Sequence, residues 1–207
     1  MRTRQRGIGT SVKNRFRHSV VTRLQKIGWV YYIDVFVAAT IEDIHIVEPR
    51  VECGFLPIAM NNYSRVGEFR EENRIREYRD KLARGEIGFF AEHQGKIIGS
   101  IWATINRKET DNVVRRYMKL KPREGLIHDG VAGETSRGLG VGPFLVSRIA
   151  SVLFKEHGLR RVIVDIKANN QASLSMMNKV GLRIDHRKLC ISVLGRLVYQ
   201  KVFTAHV

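Results

Sequence analysis

The segment Ser136-Arg137-Gly138-Leu139-Gly140-Val141-Gly142-Pro143 constrains this chain more than any other stretch. It lies between an apolar run at 126–132 and a helical pattern at 144–157. Three glycines at alternate positions free the backbone from Cβ clashes, so successive N–H groups can point to one place. The first N–H groups of the following helix lack internal partners and lie at the positive end of its dipole. The segment is therefore predicted to bind a phosphate, with Arg137 adding a permanent charge.

Two familiar phosphate-binding motifs do not fit this segment. It contains no Gly-Lys-Ser/Thr of a P-loop, and the glycine spacing departs from the G-x-G-x-x-G pattern of dinucleotide-binding folds. A glycine-rich turn can also be a tight strand-to-helix connection without a ligand. From the turn alone, both interpretations stay open.

The motifs that follow resemble those of the GCN5-related N-acetyltransferase (GNAT) superfamily. The run Arg137-x-x-Gly140-x-Gly142 is similar to its pyrophosphate loop, Arg/Gln-x-x-Gly-x-Gly/Ala. A strand pattern at 161–167 precedes Asn-Gln-Ala-Ser at 170–173 and Lys-Val-Gly-Leu at 179–182. This order is similar to the second signature, Asn-x-x-Ser/Ala with a lysine-aliphatic-Gly-Phe ending. The resemblance is good over 126–182, weaker over 69–106 and absent from the first 30 residues.

The expected fold is α/β (α+β), with a mixed, mostly antiparallel central sheet flanked by helices on both faces. The order of patterns agrees with that class. The predicted elements are a strand at 29–40, a short strand near 51–56, a charged helix at 69–84, strands at 87–92 and 96–106, a strand at 126–132, helices at 144–157 and up to 180, a strand between them at 161–167, and a closing hairpin at 183–193 and 196–203. Residues 41–67 are otherwise hard to interpret, and 107–124 form a polar connection.

The first 28 residues are predicted to be a basic amphipathic extension of one domain at 29–207. Apolar residues recur every three or four positions over 8–27, as in an amphipathic helix. Residues 1–33 hold eight Lys or Arg and no Asp or Glu. We expect the apolar stripe to dock on the domain or on a second copy in a homodimer, with a membrane surface as the alternative. Nucleic-acid binding is disfavoured, because stacking aromatics and a recognition motif are absent.

Composition narrows the partners and the compartment. The net charge of +16 favours acidic partners such as coenzyme phosphates. Cys53 and Cys190 are the only two cysteines, too few for a disulfide framework, so both are expected to be reduced core residues. The sequence shows no bilayer-spanning run and no signal peptide. A cytoplasmic location is predicted, or a membrane-peripheral one through residues 8–27.

The resemblance implies acetyl-CoA as co-substrate, a primary amine as acceptor and no metal. Under it, the loop cradles the coenzyme pyrophosphate and the preceding strand offers backbone groups to the pantetheine arm. Asn170 and Ser173 would lie beside that arm, although helix capping is a second, compatible role for them. The predicted coenzyme-binding residues are Val131, Ala132, Arg137, Gly138, Leu139, Gly140, Val141, Gly142, Asn170 and Ser173.

A departure from the family pattern concerns the leaving thiolate. Many relatives place a tyrosine that can protonate it four residues before the glycine of the closing motif, where this chain has Met177. A thioether cannot donate a proton. Either another group serves, with Tyr199 as the candidate, or the thiolate leaves unassisted, since a coenzyme thiol is already a fair leaving group.

The attacking amine must lose a proton, and Asp129 and His128 are the candidate acceptors. Strand alternation predicts that they point to opposite faces, so that one of them faces the cleft. Asp129 is preferred because a carboxylate could also bind a cationic amine. Glu134 is a further candidate, and pairing with a nearby Lys or Arg is the alternative role for Asp129 and His128.

The sequence therefore predicts an acyl-CoA-dependent N-acyltransferase. Direct transfer in a ternary complex is expected, because no Ser-His-Asp or Cys-His arrangement supports a covalent acyl-enzyme. The acceptor is expected to be a small amine, either an amino sugar or an amino acid, and the basic charge adds nucleotide-linked amino sugars. A non-catalytic acyl-CoA-binding module, held on a membrane or partner by the basic helix, is the alternative that Met177 leaves open.

Overall fold

The computed structural model describes residues 28–108, 113–115, 118–193 and 196–204. Its strands are β1 (Gly28–Ala38), β2 (Gly54–Pro57), β3 (Ile87–His93), β4 (Lys96–Ile105), β5 (Val114–Arg115), β6 (Met118–Lys119), β7 (Glu124–Ala132), β8 (Arg161–Lys167), β9 (Arg183–Val193) and β10 (Arg196–Thr204). Its α-helices are α1 (Asn73–Ala83), α2 (Val141–Lys155) and α3 (Gln171–Val180). Short 3-10 helices span Ile41–Asp43, Tyr63–Glu68 and Glu134–Ser136.

Eight strands form one sheet in the order β10-β9-β1-β8-β7-β4-β3-β2. Every neighbouring pair is antiparallel except β7 and β8, which run parallel. Strands β5 and β6 pair separately as a small ribbon. The predicted mixed, mostly antiparallel sheet is therefore confirmed, and its single parallel pair lies beside the glycine-rich segment.

Helices pack on both faces of the sheet, as predicted. On one face, the apolar side of α2 is buried against β7 and β8 together with the end of α3. On the other face, α1 and the turn Tyr63–Glu68 cover β3 and β4, and β6 packs near β1 and β8. Because residues of a strand alternate between faces, each central strand supplies apolar side chains to both layers.

The first strand does not lie at an edge. It is inserted between β8 and β9, with Ile33 opposite both Lys167 and Lys188. Its apolar residues explain this place: Ile33 and Val35 are buried on one face, and Phe36 and Ala38 on the other. A strand buried on both faces is typical of a sheet interior. The closing hairpin β9–β10 therefore joins the sheet through β1.

Several sequence expectations are adjusted by the structure. The hairpin at 87–106 is confirmed, with left-handed Gln94 (φ 49°) and Gly95 (φ 77°) in its two-residue turn. The charged helix is shorter than predicted, because the turn Tyr63–Glu68 and a bend precede Asn73. The amphipathic helix predicted at 8–27 lies outside the described residues. No helix among the described residues is long and apolar enough to cross a membrane.

Candidate functional site: an anion-binding loop beside an opened strand pair

The glycine-rich loop leaves four backbone amides open. Gly138 (φ 79°) and Gly140 (φ 81°) adopt left-handed conformations, and Gly140 is the N-cap of α2. The first amide of α2 to bond back is that of Phe144, which donates to the Gly140 carbonyl at 3.1 Å. Within the described residues, no carbonyl accepts a hydrogen bond from the amides of Gly138, Gly140, Val141 and Gly142. These are the donors that an anion needs.

The Leu139 amide departs from the prediction. It donates to the Ser136 carbonyl at 3.3 Å, and its own carbonyl accepts from the Arg50 amide at 2.7 Å. Its side chain packs against the core rather than facing the cavity. Leu139 therefore helps to fix the loop and does not offer its amide to a ligand.

A cavity of about 770 Å³ opens in front of these amides. It is lined by nine of the ten predicted coenzyme-binding residues, all except Leu139. Positive charge at its rim comes from Arg50, Arg137 and Lys179, while Glu48 supplies a negative charge. The Arg137 side chain is 74% exposed and only 3.7 Å from the exposed Glu134 carboxylate, so it can reach a ligand at low cost. Arg50 was not predicted from the sequence, because it lies far from both motifs.

Asn170 and Ser173 line this cavity and also cap a helix. The Asn170 Oδ1 atom accepts a hydrogen bond from the Ser173 amide at 3.3 Å, at the N-cap position of α3. Capping, one of the two predicted roles, is therefore observed. Contact with a coenzyme stays a prediction for both residues.

Strands β7 and β8 part next to the cavity. Their pairing runs from Glu124 opposite Arg161 to Ile127 opposite Val164, and it extends no further. Beyond this point β8 no longer pairs with the edge of β7. The cavity borders this part of β7 and is lined by Gly130, Val131 and Ala132. Strand groups that no longer pair must find another partner. The gap therefore offers backbone donors and acceptors to an extended ligand.

A β-bulge on the other side of β7 accompanies this opening. Ser100 pairs with Val131 and Trp102 with His128, so Ile101 alone lies opposite both Asp129 and Gly130. Asp129 takes a left-handed conformation with φ 47°. The extra residue breaks strand alternation. The prediction that His128 and Asp129 point to opposite faces is consequently wrong, because both contact groups on the α1 side.

Asp129 is held between two cations. Its carboxylate contacts the Lys81 ammonium and lies 3.4 Å from Nη1 of Arg70. Lys81 is buried, with its Nζ atom 5.1 Å from the ring centroids of both Tyr78 and Trp102. A carboxylate that already contacts two cations in this way has little room to bind a further cationic group. The alternative role for Asp129, pairing with basic residues, is the one observed.

His128 is also buried among protein groups. Its Nε2 atom lies 3.0 Å from the Thr104 hydroxyl and 3.2 Å from the Glu86 carboxylate, and its side chain is 8% exposed. Neither His128 nor Asp129 lines the cavity. The position of His128 supports a structural polar contact between β7, β4 and the end of α1.

Tyr199 is far from the gap. It is 48% exposed on the edge strand β10, and β9 and β1 separate β10 from β8. Three strand spacings amount to about 14 Å. The proposal that Tyr199 replaces the family tyrosine is therefore corrected. Met177 is fully buried in the core, whereas its neighbour Met176 lines the cavity.

The cysteines match the expectation from composition. Cys53 and Cys190 are free thiols, the first partly buried and the second buried, and burial raises the pKa of both. Neither lines the cavity. Among the described residues, no group of His, Cys, Asp and Glu is arranged to hold a metal ion.

A mixed sheet with one opened parallel pair, and a helix start with open amides at that opening, form a site whose shape and donors suit an extended, phosphate-bearing ligand. The model of the acetyltransferase (GNAT) family matches residues 55–182, more than half of the chain. The chain therefore belongs to the GNAT acetyltransferase family. Among curated proteins, no sequence matches it.

Solved structures share this fold at low sequence identity. A GCN5-related N-acetyltransferase from Sphaerobacter thermophilus superposes with a TM-score of 0.58 at 14% identity, over 92% of this chain and 58% of that one. One from Kribbella flavida gives 0.52 at 7%, over 80% and 59%. The glucosamine N-acetyltransferase region of a fungal multi-domain β-N-acetylglucosaminidase gives 0.58 at 15%, over 84% and 22%. The chain thus spans under two thirds of the length of these proteins.

Proposed function

We propose that this protein transfers the acetyl group of acetyl-CoA to the primary amine of a small acceptor. The observation that carries the proposal is the set of four open amides at the start of α2, facing a cavity that continues along β7 into the gap. Phosphate at a helix N-terminus gains from both the free donors and the dipole. Family membership supports the same activity.

The residues present fit such a co-substrate. The amides of Gly138, Gly140, Val141 and Gly142 would hold its pyrophosphate, with Arg137 as a mobile counter-charge. Gly142 has little spare room, since a Cβ there would lie 2.9 Å from the Met176 sulfur. The unpaired edge of β7 would bond an extended arm as an added strand does. The thioester would then reach the gap, near the bulge.

The proposed chemistry is direct transfer. The acceptor amine, after losing a proton, attacks the thioester carbonyl; the new C–N bond forms, the C–S bond breaks, and the thiolate takes up a proton. A backbone N–H at the opened edge of β7 would stabilise the negative oxygen of the intermediate. No cysteine or histidine of the described chain lines the cavity, which supports transfer without a covalent acyl-enzyme. No tyrosine of the described residues lines the cavity, so the thiolate would depart without a tyrosine donor.

The test combines binding with turnover. We expect coenzyme A to bind in calorimetry, and free thiol to appear when acetyl-CoA is mixed with a panel of amines that includes an amino sugar, given the fungal relative. Gly142→Glu places a carboxylate among the open amides and is expected to weaken coenzyme binding about 100-fold or more. The control is Gly54→Glu on β2, where the position is exposed and a Cβ meets its nearest atom at 3.7 Å.

Two outcomes would redirect the proposal. If the unaltered protein shows no affinity for coenzyme A, the function assigned to the loop is wrong. Coenzyme binding without turnover across a broad amine panel would instead favour the non-catalytic acyl-CoA-binding module.

The partner of the basic extension is also a proposal. On the face that α2 and α3 cover elsewhere, four large side chains of β1, β9 and β10 are 39–48% exposed: Tyr32, Ile184, Tyr199 and Phe203. We propose that residues 8–27 cover this face, because that segment ends where β1 begins and carries a predicted apolar stripe. A cytoplasmic location is proposed with it, in agreement with the two free thiols.

Removing residues 1–27 should expose this face and increase binding of a hydrophobic dye. A homodimer that persists without residues 1–27 would show that a second copy covers the face instead. Liposome binding that disappears with the segment would favour the membrane surface.

A further inference from the structure

One wall of the cavity in front of the open amides comes from a segment outside the family-matched range. Residues 44–50, which we call the strap, follow the 3-10 helix Ile41–Asp43 and precede β2. Val47, Glu48 and Arg50 of the strap line the cavity. Because the family match begins at residue 55, the strap is a part of the site that the family motifs do not describe.

Backbone contacts fix the path of the strap across α3, α2 and the glycine-rich loop. Two motif glycines leave room for this path. A Cβ at Gly140 would lie 3.3 Å from the Cα atom of Pro49, and a Cβ at Gly181 would overlap the Asp43 carbonyl oxygen. The strap donates three hydrogen bonds: the His45 amide to the Val180 carbonyl at 2.8 Å, the Val47 amide to the Ser147 hydroxyl at 3.2 Å, and the Arg50 amide to the Leu139 carbonyl at 2.7 Å.

Helix α3 gives the order of groups along the cavity. Asn170, its N-cap, comes shortly after β8, on the side of the gap. Met176 is level with the open amides, since a Cβ at Gly142 would lie 2.9 Å from its sulfur. Lys179 is about 4.5 Å further along the helix axis, next to Val180, whose carbonyl holds the strap. The cavity therefore continues past the amides, away from the gap, to an outer end formed by Lys179 and the strap.

Two cations at this outer end have no carboxylate partner. In the part of the chain that the structure describes, no Asp or Glu lies within ion-pair distance of the Arg50 or Lys179 side chain. The acidic residue beside them, Glu48, is bound to Arg148 at 2.6 Å. The outer end therefore keeps a net positive charge, and its two exposed side chains offer several N–H donors.

A pyrophosphate at the amides does not account for these two cations. The four open amides and Arg137 already complement a pyrophosphate. Arg50 and Lys179 lie beyond that point, on the side where a nucleoside attached to the pyrophosphate would leave the loop. Cations in this place would attract a separate anionic group on that nucleoside.

We propose that Arg50 and Lys179 bind a phosphate monoester that a sugar separates from the pyrophosphate, as in the 3′-phosphate of coenzyme A. The inference rests on the proposed acetyl transfer and deepens it, because it makes the strap a selectivity element for the acetyl donor. A donor that has the same pyrophosphate and nucleoside but no monoester lacks this contact and binds more weakly.

The experiment measures the dissociation constants of coenzyme A and dephospho-coenzyme A by calorimetry on the full chain. These ligands differ only in the 3′-phosphate, so the ratio of their dissociation constants reports the outer end alone. The variants are Arg50→Gln, Lys179→Met and the two combined. Affinity for dephospho-coenzyme A also shows whether the loop and strap of each variant are folded.

The chain offers a matched control for each variant. Arg160→Gln matches Arg50→Gln, because both arginines are exposed and both donate their amide to the carbonyl of a turn residue. Lys155→Met matches Lys179→Met, because each lysine is exposed in the last turn of its helix. Neither control residue lines the cavity.

We expect the unaltered protein to prefer coenzyme A over dephospho-coenzyme A about 20-fold, since two charge-assisted contacts form at an exposed site. Each single variant should lower this preference about 4-fold and change dephospho-coenzyme A affinity less than about 2-fold. The double variant should bind both ligands almost equally, and the controls should keep the full preference. Added salt should reduce the preference of the unaltered protein.

Three results would overturn the assignment: equal affinity of the unaltered protein for both ligands, an unchanged preference in the double variant, or an equal loss of affinity for both ligands in that variant. Each of these leaves the proposed function standing, because coenzyme A still binds to the unaltered protein. Failure of the proposed function differs, since the unaltered protein would then bind neither ligand.

Discussion

The two halves of the sheet differ in how they are built. Strands β2 to β8 lie within or beside the family-matched range, follow one another along the chain and carry both motifs. Strands β1, β9 and β10 come from the two ends of the described chain and carry no motif. Contacts of the first half are mostly local in sequence, while β1 pairs with strands more than 120 residues away.

This difference separates two tasks. In the first half, a loop between β7 and α2 fixes the anion site through neighbours in sequence, so the site can be recognised from a short motif. In the second half, the sheet is completed only when both ends of the described chain have joined β8. The comparison shows that the motif-bearing loop is fixed by residues close in sequence, whereas the half built from the ends depends on pairing between distant residues.

The largest effect is expected when β1 is prevented from joining the sheet. Ile33→Pro removes an amide from a strand that pairs on both sides, and it should destabilise the protein by at least about 3 kcal/mol. Chemical denaturation followed by circular dichroism measures the loss. Val198→Pro is the control, since Val198 is 60% exposed at a bulge of the edge strand and should change stability by about 0.5 kcal/mol at most.

An unchanged denaturation midpoint for Ile33→Pro would mean that the end-built half does not depend on β1. The two halves would then have to be regarded as independent.

The next largest effect concerns the contact between Asp129 and Lys81. Asp129→Asn leaves a buried lysine with only Glu77, 3.1 Å away, and should cost about 2–3 kcal/mol, together with a loss of activity. The double variant Asp129→Asn/Lys81→Met should recover most of the stability and most of the activity, because it leaves no buried lysine without its carboxylate partner. Denaturation and acetyl-transfer rates measure the two quantities.

This cycle separates two roles for Asp129. If Asp129 accepts the proton of the amine, the double variant stays inactive even when its stability returns. Glu77→Gln removes the other carboxylate beside Lys81 and should have a smaller effect, because Asp129 stays in contact with the ammonium.

The contiguous half was largely predictable from sequence. The hairpin, the loop, both later helices and the residues that line the cavity follow from local periodicity, turn residues and a motif. The sequence motif places Leu139 among the coenzyme-binding residues. Its amide instead donates to the Ser136 carbonyl, and this bond depends on the turn geometry, which the motif does not give.

Two features could not be predicted because they arise from long-range pairing. The place of β1 in the sheet interior depends on residues at both chain ends. The bulge at Asp129 interrupts the strand alternation, from which His128 and Asp129 are predicted to point to opposite faces.

A smaller effect is expected when the loop loses its side-chain charge and keeps its amides. Arg137→Ala should weaken coenzyme A binding about 5-fold, because the guanidinium is exposed and solvent screens its attraction to phosphate. Calorimetry at low and high salt should show the difference shrinking as salt rises. Arg79→Ala, at an exposed arginine of α1, is the matched control. Equal weakening by both variants would mean that general charge, and not the loop, attracts the coenzyme.

The smallest effect concerns the turn that leads from the end-built half into the contiguous half. The amides of Thr40 and Ala39 each donate to the Asp43 carboxylate at 2.9 Å and hold its pKa below the usual value. The ionised carboxylate therefore stabilises the fold fully above the unfolded-state pKa of about 3.9. This contribution disappears as pH falls through the lower, folded-state pKa.

Asp43→Ala should consequently cost about 1 kcal/mol at pH 7, the usual value for a lost helix cap. The difference from the unaltered protein should vanish in acid, which urea denaturation at several pH values can follow. Glu42→Ala, one residue earlier and exposed, is the control. A cost that stays constant down to acid pH would show that Asp43 acts through packing, and the joint between the two halves would then not depend on charge.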